Sequence, residues 1–279
     1  MAGQRSAALP IVLVASPERD LQARLAQATR GDARLLCVDK FDAVASFISQ
    51  SADSVAIVLL PVRDGSGMEA TALTRRIAAA SPRTAIIVHC RAGGEHTSEI
   101  RSLAAAGVHQ FLFRGIDDYG IALKAVLQAA RRQCASECVY RALAPLVPPT
   151  LHSMVEAALN APDAITNVDS LSAALGIHRK TLFNRCERAA FLGPSELLRW
   201  VRLALVAYLL ETTGCTLERL AIDLAFPSDV SLRNMLKRYT GLRSIDIRRG
   251  GGCAVVLDAL QVRAAVSQHR DGQPDLHLM

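Results

Sequence analysis

Short apolar runs alternate with helix-patterned segments over the first half of the chain. Ile11-Val-Leu-Val-Ala15 is uninterrupted and predicts a first strand, after which Leu21 and Leu25 recur at helical spacing between Pro17 and Arg30. Arg34 to Val38 is a second, weaker strand, and Phe41 to Gln50 a second helix. Val55 to Leu60 gives the third strand, Met68 to Ala80 a helix, and Ala85 to Val88 the fourth strand. A helix from His96 to Ala106 stops at Gly107, a residue suited to the left-handed conformation that closes helices. His109 to Phe113 and Asp118 to Arg141 supply the fifth strand and the last helix. Continuous apolar strands linked through helices form a parallel sheet covered on both faces.

The pattern changes at Leu143-Ala-Pro-Leu-Val-Pro-Pro-Thr150, whose prolines predict a semi-rigid spacer. Everything from there to residue 249 is helical in pattern, starting with Leu151 to Asn160. In Asp169-Ser-Leu-Ser-Ala-Ala-Leu-Gly-Ile-His-Arg-Lys-Thr-Leu-Phe-Asn-Arg185 two short helices meet at Gly176, which can take a positive φ. Ala173 is expected at their crossing, with Ile177 and Leu182 facing inward. This is a helix-turn-helix pattern. His178, Arg179, Lys180, Thr181, Asn184 and Arg185 remain to cover its second helix, where donors can reach phosphates and base edges. A long helix follows from Pro194 to Thr213 and carries Trp200, expected in the core, and Arg202. Thr216 to Phe226 and Ser228 to Thr240 then make a second short pair, ending before Gly241. Its outward residues are Ser228, Asp229, Ser231, Arg233, Asn234 and Lys237.

Two resemblances rest on these residues. The strand–helix layout and the loop Asp64-Gly-Ser-Gly67 resemble the receiver domain of bacterial response regulators. That family uses an acidic pair after the first strand, a phosphorylated Asp ending the third, a Ser or Thr ending the fourth and a Lys ending the fifth. Here Ser16, Pro17 and Glu18 follow the first strand, and the third ends Leu59-Leu60-Pro61. Cys90 and Arg114 stand near the other two positions. The resemblance therefore implies a scaffold without Mg²⁺ or acyl-phosphate chemistry. The stretches SLSAALGIHRKTLFNRC, PSELLRWVRL, LAIDLAF-PS and LKRYTG resemble the AraC-type DNA-binding domain, over about residues 150 to 249. Departures are Asn184 for a frequent Arg, Ala225 for a Gly, Leu232 and Leu236 for aromatics, and Ser244 and Ile247 for Pro and Tyr. They imply that the first unit does most of the base reading.

The expected architecture is an α/β N-terminal domain over residues 1–142, with a five-stranded parallel, flavodoxin- and receiver-like sheet. A linker at 143–150 leads to an all-α domain at 151–249 with two helix-turn-helix units, then a glycine hinge and tail at 250–279. The tail is expected to hold a short amphipathic helix through Val256, Leu260 and Ala264, and to fray from Asp271.

Charge sharpens this reading. The chain carries +6, and residues 178 to 249 alone hold 13 Arg and Lys against 7 Asp and Glu. The basic excess thus falls on the paired units, where double-stranded DNA would supply phosphates. A homodimer through the N-terminal domain and a protein contact, such as RNA polymerase, are the other expected partners. Seven cysteines without a Cys-x-x-Cys pair, no leader and no apolar run of about 18 residues point to the cytoplasm and away from a membrane.

Other signals are weak. Gly65-Ser-Gly67-Met-Glu-Ala70 fits a dinucleotide pattern but follows the wrong strand, and reads as a turn. Cys134 and Cys138 lie one helical turn apart with no second pair of ligands, so neither cofactor nor metal is expected. Two rival readings stay open: a thiol enzyme or redox sensor using Cys90, and a protein-binding regulator that has lost DNA binding.

Overall fold

The five apolar runs become five strands, each followed by a helix: β1 (Ile11–Ala15), α1 (Arg19–Ala28), β2 (Arg34–Val38), α2 (Phe41–Ser51), β3 (Val55–Pro61), α3 (Ala70–Ala80), β4 (Ala85–Cys90), α4 (Thr97–Ala105), β5 (Gln110–Phe113) and α5 (Gly120–Leu143). The computed structural model describes residues 9–93, 97–249 and 251–271; Gly94 and His96, the expected start of α4, lie outside the described residues. All pairings are parallel and the strand order is β2-β1-β3-β4-β5. Strand order reverses between β1 and β3, and α/β sheets of this winding usually place ligands at the carboxyl ends of those strands.

Alternation along the strands builds two apolar layers. Leu13, Ala15, Val58, Leu60, Ile86 and Val88 pack with Phe41, Val44 and Ile48 of α2, Leu73 and Ile77 of α3, and Leu103 of α4. Val12, Val14, Ile57, Leu59, Ile87 and Leu112, equally buried, face the other way.

The molecule divides into two units at Cys134 and Ala135. The second contains the end of α5, then α6 (His152–Asn160), α7 (Val168–Leu175), α8 (Arg179–Arg188), α9 (Pro194–Thr212), α10 (Leu217–Asp223), α11 (Asp229–Thr240), α12 (Ser244–Arg249) and α13 (Cys253–Asp271). Every residue of α9 from Trp200 to Leu210 is buried, as expected of a helix enclosed on all sides by others.

Two expectations change here. The Pro-rich stretch 143–150, expected as a semi-rigid spacer, is packed, with Leu143, Val147 and Leu151 all buried in the helical core. His152 holds the stretch in place, its Nε2 donating to the carbonyls of Ala144 (3.1 Å) and Val147 (3.0 Å). At the expected glycine hinge, Gly252 is likewise packed. A Cβ on Gly252 would stand 2.6 Å from the Glu211 side chain and 2.7 Å from the Ala207 carbonyl oxygen. Gly250 itself, and the tail beyond Asp271, lie outside the described residues. The helix expected in the tail is α13, and Val256, Leu260 and Ala264 are its buried stripe.

Candidate nucleic-acid interface

The first helix pair is fixed by its caps. The Asn167 side chain accepts from the backbone N–H groups of Asp169 and Ser170, and Ser170 Oγ accepts from the Asn167 N–H, which closes a capping box at the start of α7. Gly176 ends the helix at φ +63°, a conformation open to glycine without strain. His178 caps α8 by accepting from the Lys180 N–H through Nδ1 at 3.2 Å. Leu182 and Cys186 turn inward from α8, leaving Arg179, Lys180, Thr181 and Phe183 exposed, and Asn184 and Arg185 half-buried. Arg179 pairs with Asp169 at 3.0 Å. Ala173 is exposed rather than at the crossing, because Val168 and Leu171 are the buried residues of α7 and set its phase.

The second pair repeats this plan with less freedom. Thr216 caps α10 and Ser228 caps α11, each hydroxyl accepting an N–H three residues on. The Ser228 hydroxyl and the Ser231 N–H are therefore occupied by the cap. Asp229 is half-buried and bound to Arg233 at 2.8 Å, so its charge is neutralised locally. Arg233, Asn234 and Lys237 line one exposed face of α11. Leu232 and Leu236 are fully buried in positions that the family resemblance assigned to aromatics.

Between α10 and α11, Ala225 takes φ +50°. Its N–H donates to Ile222 and that of Phe226 to Ala221, the paired bonds of a left-handed helix end. A Cβ in that region costs about 1–2 kcal/mol. Ala225→Gly is expected to raise the unfolding free energy of the helical unit by about 1 kcal/mol, part of the strain relief being offset by chain entropy. Urea melts of the two proteins measure it.

A buried cation ties the two pairs together. Arg202, on α9, is 7 % exposed. Its guanidinium donates to the carbonyls of Thr166 (3.2 Å), Leu224 (2.5 Å) and Ala225 (3.5 Å), and lies 4.3 Å over the Phe226 ring. Thr166 leads into α7, whereas Leu224 and Ala225 form the turn of the second pair. Burial pulls the Arg202 pKa below the usual arginine value. Trp200 is also a core residue, 2 % exposed and edge-on to Tyr239 at 5.0 Å.

A family profile described as a helix-turn-helix domain matches residues 171–250. This segment is an AraC-type helix-turn-helix domain. The match takes in most of α7 and runs through α12; α6 and α13 of the helical unit lie outside it. Among solved structures, the chain is similar to a response regulator receiver domain protein from Clostridium thermocellum (14 % identity, 45 % of this chain, 96 % of that one, TM-score 0.39). It is also similar to a pilus assembly-related protein from Burkholderia pseudomallei (20 % identity, 45 % and 92 %, TM-score 0.36). Full-length FixJ from B. japonicum matches more of the chain (16 % identity, 85 % and 100 %, TM-score 0.39). No curated protein matches.

Two residues of the AraC-type unit escaped the sequence reading. Phe183 could have been found from helix phase, since Leu182 and Cys186 set the inward face of α8. Arg202 stands on the joining helix within the wholly buried run from Trp200 to Leu210, where a cation needs buried acceptors.

The N-terminal unit has the receiver-like strand order, but different chemistry occupies its carboxyl edge. Leu59 and Leu60 are fully buried at the end of β3. Arg114 is paired with Glu18 at 3.2 Å, and Arg24 with the buried Asp118 at 2.9 Å. His89 is buried, and desolvation lowers its pKa despite the carboxylates of Glu18 and Asp118. Asp64 accepts from Ser66 Oγ (2.6 Å) and from the N–H groups of Ser66, Met68 and Phe41, which holds its pKa below the ordinary carboxylate value. The Gly65–Gly67 stretch is thus a turn wrapped around its own aspartate and tied to the start of α2. Among the described residues no group of three His, Cys, Asp or Glu side chains could hold a metal ion, and no helix is long and apolar enough to cross a membrane.

Cys90 is 5 % exposed, and its thiol is pushed up to about 11, first by burial and then by Asp117. A buried, protonated thiol is a poor nucleophile. Iodoacetamide at neutral pH is therefore expected to modify the exposed Cys37 while leaving Cys90 intact until urea unfolds the protein. Peptide mass mapping reads the order, and rapid native modification of Cys90 would revive the thiol-enzyme reading.

Proposed function

We propose that this protein is a sequence-specific, double-stranded DNA-binding transcriptional regulator of the cytoplasm, without catalytic activity. Its N-terminal unit works without phosphorylation at the usual receiver aspartate. The observation that carries the reading is the pair of capped helices α8 and α11 braced by α9. Each presents cationic and amide side chains on an exposed face, within the segment that holds the basic excess. His178, Arg179, Lys180, Thr181, Asn184 and Arg185 serve the first reader, and Ser228, Ser231, Arg233, Asn234 and Lys237 the second. Ser228 and Ser231 act mainly by setting the start of α11.

The N-terminal unit supplies a surface for a second copy of the chain. Ile116, Tyr119 and Ile121, between β5 and the first turn of α5, are 65 %, 54 % and 88 % exposed, which supports an apolar contact there. Loss of the acyl-phosphate chemistry is supported by the hydrocarbon at the end of β3 and by the carboxylate partner already bound to Arg114.

Fluorescence anisotropy with duplex DNA tests the function. Binding should weaken steeply with added salt, and further in Arg179→Ala and Arg185→Ala. Absent or salt-insensitive binding would overturn it in favour of a protein-binding regulator.

A further inference from the structure

Phe183 is the anomaly of the first reader helix. It lies on α8 between the buried Leu182 and the half-buried Asn184, yet is 42 % exposed and contributes nothing to the helical core. A large aromatic ring left partly in water is unfavourable, and Phe183 is not among the residues that build the hydrophobic core beneath α8. Its ring lies beside Arg179, one turn earlier, whose Cζ is 5.8 Å from the ring centroid. Arg179 and Phe183 are therefore neighbours on one exposed stripe, with Lys180 and Thr181 beside them. The cations of that stripe suit phosphates or guanine. An apolar ring among them suits the apolar group that a base pair displays in the major groove, the C5-methyl of thymine.

We propose that Phe183 is a specificity-determining residue that packs on a thymine methyl in the element read by α8. The proposal rests on the DNA-binding reading above and adds the identity of one recognised group. The guanidinium of Arg179, paired with the exposed Asp169, can trade that partner for a phosphate or a base. The ring is left for the methyl. Covering one methyl group corresponds to about a fourfold change in affinity. The substituted side chain sits outside the core, so Phe183→Ala is expected to fold with an unchanged melting temperature.

The test uses the full-length protein and duplexes recovered by it from a random-sequence pool. Each thymine of a recovered duplex is replaced in turn by deoxyuridine, which pairs identically but lacks the methyl. With the wild-type protein, at least one replacement should weaken binding about fourfold. With Phe183→Ala that penalty should disappear, and with Phe183→Leu, which keeps an apolar side chain, most of it should remain. Loss of affinity equal for thymine and deoxyuridine duplexes in Phe183→Ala would overturn the proposal, as would a wild-type protein indifferent to every replacement. In both cases salt-dependent binding of the recovered duplex would leave the DNA-binding reading standing. Failure to recover any duplex would overturn both.

Discussion

Replacing Arg202 with methionine is expected to destabilise the helical unit by about 3 kcal/mol. Methionine fills much of the same volume, so the loss is not one of packing. It comes from the carbonyls of Thr166 and Leu224, which the guanidinium satisfies inside the protein and which would be left without a donor. Each buried acceptor stranded in this way costs about 1–3 kcal/mol. Against this stands relief from burying a cation that, among the described residues, no carboxylate accompanies. Arg202→Lys should fall between the two, because a single ammonium lacks the fork with which the guanidinium reaches Thr166 and Leu224 together. Urea denaturation followed by helical circular dichroism measures the differences. A loss under about 1 kcal/mol in the methionine variant would mean that the two turns hold themselves.

The second large effect is the response of DNA binding to salt. Six neutralised phosphates are a reasonable number for two short basic helices, and each contributes a slope near −0.9 in log affinity against log salt. Raising salt from about 50 to about 200 mM should then weaken binding by roughly a thousandfold. Anisotropy titrations at four or five salt concentrations give the slope directly. Arg179→Ala and Arg185→Ala should each reduce it by about one where the side chain meets a phosphate. A slope near zero would exclude the basic excess as a DNA surface.

Much of this was legible in the residues. The helix-turn-helix pairs announced themselves because their signals are local: Gly176 for the turn, and Leu182, Leu232 and Leu236 for the inward faces. The parallel sheet was readable from continuous apolar strands such as Ile11 to Ala15. The failures were of two kinds. Ala173 was placed by its size rather than by the phase that Leu171 imposes, which put it on the wrong side of α7. Leu143, Val147 and Leu151 recur at four-residue spacing through a segment dominated by prolines. The prolines spoke for a spacer, whereas the packing follows the leucines and valine. The role of Arg202 could not be read locally at all, since its acceptors are 22 and 36 residues away in sequence.

The end of β3 has one more implication. Leu59 is flanked in the sheet by Val14 and Ile87, and, like Leu60, has no accessible surface. An aspartate substituted at either position would enter a hydrocarbon interior with no cation within its own strand pair. It would keep its proton, and a neutral acid cannot attack phosphorus. On the reading proposed above, acyl-phosphate chemistry at this edge would require rebuilding the neighbouring strands together, since the packing around it, and not one missing letter, would keep an acid there neutral.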